Sequence, residues 1–127
     1  MDMKIKQRLS VFRKRVLANE FHNLRMESLK RIMKRRNESG LSCADIQNEI
    51  DIELKIMSDL NSEREKVCKF LDHLNGIDFE LMYAYYVVGL PSWEAVAETL
   101  HVCIRCVYKW RKRAFNTLEK YKEEFET

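Results

Sequence analysis

Three glycines and one proline in 127 residues leave this chain few places to turn. Glycine and proline punctuate helices and build tight loops, so their scarcity excludes a loop-rich domain and predicts long helices. Three glycines are also too few for a loop that cradles phosphate. No apolar run reaches the length that spans a bilayer, and the first residues lack the apolar stretch of a signal peptide. An intracellular, cytoplasmic protein with no membrane partner is therefore expected. His22, His73 and His101 lie far apart with no nucleophile pattern beside them. The carboxylates of the middle third follow helical spacing, as surface charge does. No catalytic residue stands out, no cofactor is implied and an enzyme is not expected.

Charge of one sign is missing locally rather than overall. The net charge is only +3, but residues 1–36 hold twelve Lys/Arg against three acids, a net +9. Residues 37–82 hold four against eleven, a net −7. A basic segment beside an acidic one suggests helices that pair with each other. The basic run Lys34-Arg35-Arg36 suits a helix C-terminus, where cations offset the partial negative charge of the helix dipole.

Hydrophobic spacing places five helices. The first is predicted over about Ile5 to Arg36, ending before Asn37-Glu38-Ser39-Gly40. Its stripe of Ile5, Leu9, Phe12 and Val16 slips to Phe21, Leu24, Leu29 and Ile32, which predicts a bend or a change of partner near Asn19. The second runs from about Ser42 to Leu74, with Ser42 and Asp45 resembling a capping box. Its stripe is Ile46, Ile50, Leu54, Met57, Leu60, Val67, Leu71 and Leu74, with Arg64 as a core-edge position. Two such stripes cannot stay in water. They predict a long helical hairpin or coiled coil that also self-associates, because two helices alone bury little surface. After Asn75-Gly76, Asp78 is the expected cap of a short buried helix from Phe79 to Val88. The fold class is all-α, with an oligomerisation hairpin over residues 1–76 and a second domain over 77–127.

The second domain carries the most specific pattern, SWEAVAETLHVCIRCVYKWRKRAFNTL, from Ser92 to Leu118. Ser92 is a plausible N-cap after Pro91, and Val96, Ala97 and Leu100 share one face. His101 and Val102 form a turn. A further helix from Cys103 repeats Val107, Trp110, Ala114 and Leu118 at helical spacing, and is predicted to run to about Glu124 with Tyr121 and Phe125 extending the stripe. Its other face shows Arg105, Tyr108, Lys109, Lys112 and Arg113. Five basic residues and no acid lie between Cys103 and Arg113. A helix with one apolar side and one cationic side is what a helix-turn-helix places in the major groove of double-stranded DNA.

The same residues resemble the promoter-reading helix-turn-helix of bacterial sigma factors, and LMYAYYVVGLPSW looks like the helix and loop that lead into it there. In size and layout the chain is similar to the ArpU-like and RinA-like late transcriptional regulators of phages and prophages. The resemblance is specific over roughly residues 78–121. It implies a sequence-specific DNA-binding regulator of late genes in a bacterial host, and self-association of the hairpin into a homodimer would double its recognition helices. Bases would be read by Arg105 and Lys109 with Ile104 and Tyr108, and phosphates held by Lys112 and Arg113. Sigma factors also use this module on RNA polymerase, which makes polymerase a second implied partner. The chain departs from the pattern at His101, where a small or acidic residue is more usual, and at Cys103, which replaces Ser or Thr. Ile104 and Cys106 stand where polar DNA-contacting side chains are common.

Two other readings share these residues. Small phage terminase subunits combine a helix-turn-helix with helical oligomerisation, and a module bound to polymerase alone would touch no DNA. His101, Cys103 and Cys106 spell H-x-C-x-x-C, a fragment of a zinc or redox site. Cys43 and Cys68 lie on distant helices and no second C-x-x-C exists, so a structural role and reduced thiols are expected instead.

Overall fold

The computed structural model describes residues 2–126, and the side chains of 4–125. The described residues are all-α, with no strand among them. Helix α1 spans Asp2–Glu38, α2 Ala44–Leu71 and α3 Gly76–Met82, which continues into a π-helical segment, Tyr83–Val88. Then come α4, Trp93–Leu100, α5, Ile104–Glu119, and α6, Lys122–Glu126. Among the described residues no helix is long and apolar enough to cross a membrane.

Helices α1 and α2 form the predicted hairpin and pack along their length. Helix α1 is continuous through Asn19, one helix of 37 residues. Its inward positions keep a three-four rhythm through Ile5, Leu9, Phe12, Val16, Asn19, His22, Met26, Leu29 and Met33. Polar residues at 19 and 22 hid that rhythm, and Phe21, Leu24 and Ile32 point to solvent instead. What changes along α1 is its partner. Up to Val16 it faces α2 and the C-terminal helices together, whereas Met26 and Leu29 cluster with Ile46 and Ile50 of α2, with Met33 and Met57 packed against them.

In α2 the expected stripe fails at one place. Leu54 is exposed and Glu53 is buried in its stead. The carboxylate of Glu53 forms an ion pair with Arg25 Nε at 3.0 Å and lies 2.7 Å from His22 Nδ1. A buried carboxylate survives only where such partners replace water. The capping box does not form either. Helix α2 starts at Ala44 after Cys43, which makes no side-chain cap bond; the Ser42 hydroxyl accepts from the Ala44 N–H at 3.4 Å, and Asp45 turns outward to Arg36 Nη1 at 2.7 Å. The guanidinium holds the Asp45 carboxyl below its usual range. The helix ends at Leu71, before the predicted Leu74, although Leu74 remains buried.

The main core draws on both sides of Gly76. Ile5, Leu9 and Phe12 of α1 meet Val67 and Leu71 of α2, Leu81 and Met82 of α3, Tyr86 of the π segment and Leu118 of α5. Each large side chain buried there contributes roughly 1.5–3 kcal/mol. Burial also pushes the Tyr86 phenol up to about 12. The π turn ends on Gly89 in the left-handed region, φ 84°, where Val16 and Leu17 press so close that a Cβ would meet Val16 at 3.2 Å. Arg13 secures this corner. It donates to the carbonyls of Tyr85 at 3.1 Å and Leu90 at 2.6 Å while lying over the Tyr85 ring. Beyond α5 the predicted continuous helix breaks at Lys120-Tyr121. Tyr121 stacks on His73, and Phe125 of α6 is buried against Phe70 with ring centroids 4.3 Å apart.

Candidate nucleic-acid interface

Helices α4 and α5 pack on each other across a short turn. Ser92 caps α4 as its position predicts, with its hydroxyl accepting from the Ala95 N–H at 3.1 Å. Val96 and Ala97 are buried, and Ala97 leaves the room that two crossing helices need. His101 closes α4 in the left-handed region, φ 58° and ψ 44°. The His101 N–H bonds the Glu98 carbonyl at 3.2 Å and the Val102 N–H bonds Ala97 at 2.9 Å. That pair of closing bonds is a Schellman turn built on a histidine where glycine is usual. It is the one non-glycine residue with positive φ among those described.

Helix α5 is capped by sulfur. The Cys106 N–H donates to Cys103 Sγ at 3.4 Å, and the two Sγ atoms lie 2.9 Å apart. The Cys106 thiol and the backbone amides of this turn lower the Cys103 thiol, while Cys106 is raised by the same pairing. Among the described residues no group of three or more His, Cys, Asp or Glu side chains is placed to hold a metal. Val107, Ala114, Phe115 and Leu118 are buried, and Trp110 is half-buried against the same core. Trp93 stacks on Tyr85 at 3.9 Å.

The six nominated side chains share the outer side of α5 but differ in what holds them. Arg105, Lys109 and Lys112 are exposed, and Ile104 is half-buried at the first turn. Tyr108 is exposed, with its hydroxyl donating to Glu94 of α4 at 3.1 Å, and this bond raises its phenol. Arg113 is engaged elsewhere. Its Nε and Nη2 donate to both oxygens of Asp78, at 2.8 and 2.6 Å. Asp78 is therefore not the cap of α3, which starts at Gly76 after Asn75 with no side-chain cap bond. The carboxylate raises the Arg113 guanidinium, and the fork ties α3 to α5. Arg111, which the helical pattern left unassigned, lies over both Trp93 and Tyr108 at 5.0 Å.

Residues far apart in the chain complete the cationic surface. Lys6 of α1 lines a shallow depression with Tyr108, Arg111, Lys112 and Asn116. Its ammonium sits 5.9 Å from the Phe115 ring. The strongly basic composition of the first third was the available signal, but only the packing of α1 on α5 selects Lys6. Compared with protein-family models, curated proteins and solved structures, the chain matches none.

Proposed function

We propose that the chain is a sequence-specific, double-stranded DNA-binding regulator of transcription, of the phage or prophage late-gene type, that presents α5 to the major groove. One observation carries the reading. The outer side of α5 holds Arg105, Lys109 and Lys112 in the open, on a helix whose other side is locked into the core. Arg105 and Lys109 are one turn apart at the N-terminal end, the part of a recognition helix that reaches base edges. Lys112, Lys6 and Arg111 lie further along and to one side, where phosphates run. The bidentate bond to Asp78 makes Arg113 a brace for α5 rather than a phosphate clamp. Tyr108 keeps an exposed ring edge for a thymine methyl, although its hydroxyl is engaged by Glu94.

Arg105→Ala and Lys109→Ala are expected to lose about 1–3 kcal/mol each of discrimination between specific and random duplexes. Lys6→Ala and Lys112→Ala are expected to weaken both duplexes alike and to flatten the salt dependence. Fluorescence anisotropy on a selected site and a scrambled one separates these outcomes. Equal weakening by Arg105→Ala on both would leave phosphate contact without base reading.

A further inference from the structure

On one side of the hairpin an open apolar groove of about 450 Å³ runs between α1 and α2. Val11, Ala18 and His22 line it from α1, and Ile56 and Met57 from α2. Val11 is 53% exposed and Ile56 38%, and Ile52, one turn before Ile56, is 59% exposed. The walls differ in sign: Lys14 and Arg15 stand on the α1 side and Asp59 on the α2 side.

We infer that this groove is the interface between two copies of the chain, which associate as a four-helix bundle. A two-fold axis parallel to the helices lays one hairpin on the other with α1 of each copy over α2 of its partner. That operation keeps the level along the bundle. Lys14 and Arg15 then face the partner's Asp59, and Ile56 enters the partner's groove beside Ala18. The same exchange sets the +9 segment of each chain against the −7 segment of the other. Pairing two α1 helices directly would instead oppose like charges.

The surface area agrees. A compact monomer of 15.3 kDa exposes roughly 7,100 Å², whereas this chain exposes 8513 Å². The surplus of roughly 1,400 Å² exceeds the ~800 Å² per partner that a standard interface removes. A polar layer lies at the groove's edge, where His22 meets buried Glu53 and Arg25. Such a layer disfavours slipped registers, as polar core positions do in helical bundles. The inference does not depend on DNA binding and is tested without DNA.

The test is sedimentation equilibrium of the full chain at micromolar concentrations, with far-UV circular dichroism on each variant. The expected mass is twice 15.3 kDa. Ile56→Glu is expected to weaken the dimer at least tenfold while keeping its helix content, because Ile56 is already partly solvated. Leu24→Glu, on the side of α1 turned away from the groove and already exposed, is expected to leave the dimer intact. Asp59→Lys alone and Lys14→Glu with Arg15→Glu are each expected to weaken it, and the three changes together to restore it. A monomer at ~100 µM would overturn the inference. So would a dimer broken by Leu24→Glu and untouched by Ile56→Glu, or a triple variant no tighter than its parents.

Discussion

The two ends of the hairpin are held by different chemistry. Next to α5, the first turns of α1 are surrounded on several sides, and Ile5, Leu9 and Phe12 are almost wholly buried. Toward the Gly40 turn, α1 has α2 alone. There the core is a small cluster of Met26, Leu29, Ile46 and Ile50, supplemented by the His22–Glu53–Arg25 layer. Leu17, Phe21, Leu24, Ile52 and Leu54 lie in water along the same stretch. A pair of helices can bury one stripe each and no more. The near end is a continuous core shared by several helices, and the far end has only the seam between α1 and α2 to bury.

Core truncation is expected to separate the two ends most widely. Phe12→Ala should cost about 3–5 kcal/mol, since many neighbours cannot collapse into the hole at once. Met26→Ala, in the thin cluster, should cost about 2 kcal/mol. Urea unfolding of the two variants at equal protein concentration measures both. Equal costs would erase the distinction between the ends.

Alkaline pH is expected to act on the near end alone, through Tyr86. Its phenol is pushed up to about 12 by burial, against an unfolded value near 10. Between these values the unfolded chain gives up a proton that the folded chain keeps. The contribution of Tyr86 is therefore complete below pH ~10 and is lost as pH rises toward ~12. Its size is about 2–3 kcal/mol, and Tyr86→Phe should remove that slope from the pH dependence of unfolding. An unchanged slope would mean that Tyr86 ionises freely in the folded protein.

His101→Gly is expected to raise stability by about 1 kcal/mol, because glycine accepts the left-handed turn without the Cβ conflict. Thermal melting checks it, and a lowered midpoint would show that the imidazole does more than turn the chain. The mildest probe is alkylation. Cys103, exposed and lowered by the Cys106 thiol, is expected to react first with iodoacetamide at neutral pH. Cys68, raised first by burial and then by Asp72, is expected to react last. Mass spectrometry of timed samples gives the order, and faster labelling of Cys68 would indicate that its part of α2 opens.

Local signals made α4, its closing turn and α5 legible. Ser92, the His101 turn and the 107–118 stripe each act over a few residues, and each sits where periodicity and capping place it. The hairpin was legible for the same reason, since long helices with little glycine have few other ways to cover their stripes. What could not be read were pairs made across the fold. Arg113 and Asp78 are 35 positions apart, and nothing in either helix marks one for the other. Glu53 displaced Leu54 because His22 and Arg25 wait opposite it, not because of its own periodicity. The π turn and the break at Lys120 likewise follow from what the segments pack against. The candidate interface was thus readable as a helix face. Which of its cations are open, and that Lys6 joins them, came only from the packing.

DNA reading by α5 is tested most directly by selecting from a pool of random duplexes at two salt concentrations and sequencing the bound fraction. The expected result is an enriched motif that persists at the higher salt, with two-fold symmetry if two copies bind together. Binding that disappears with salt and enriches no sequence would contradict base reading, leaving attraction between phosphates and the cationic side of α5.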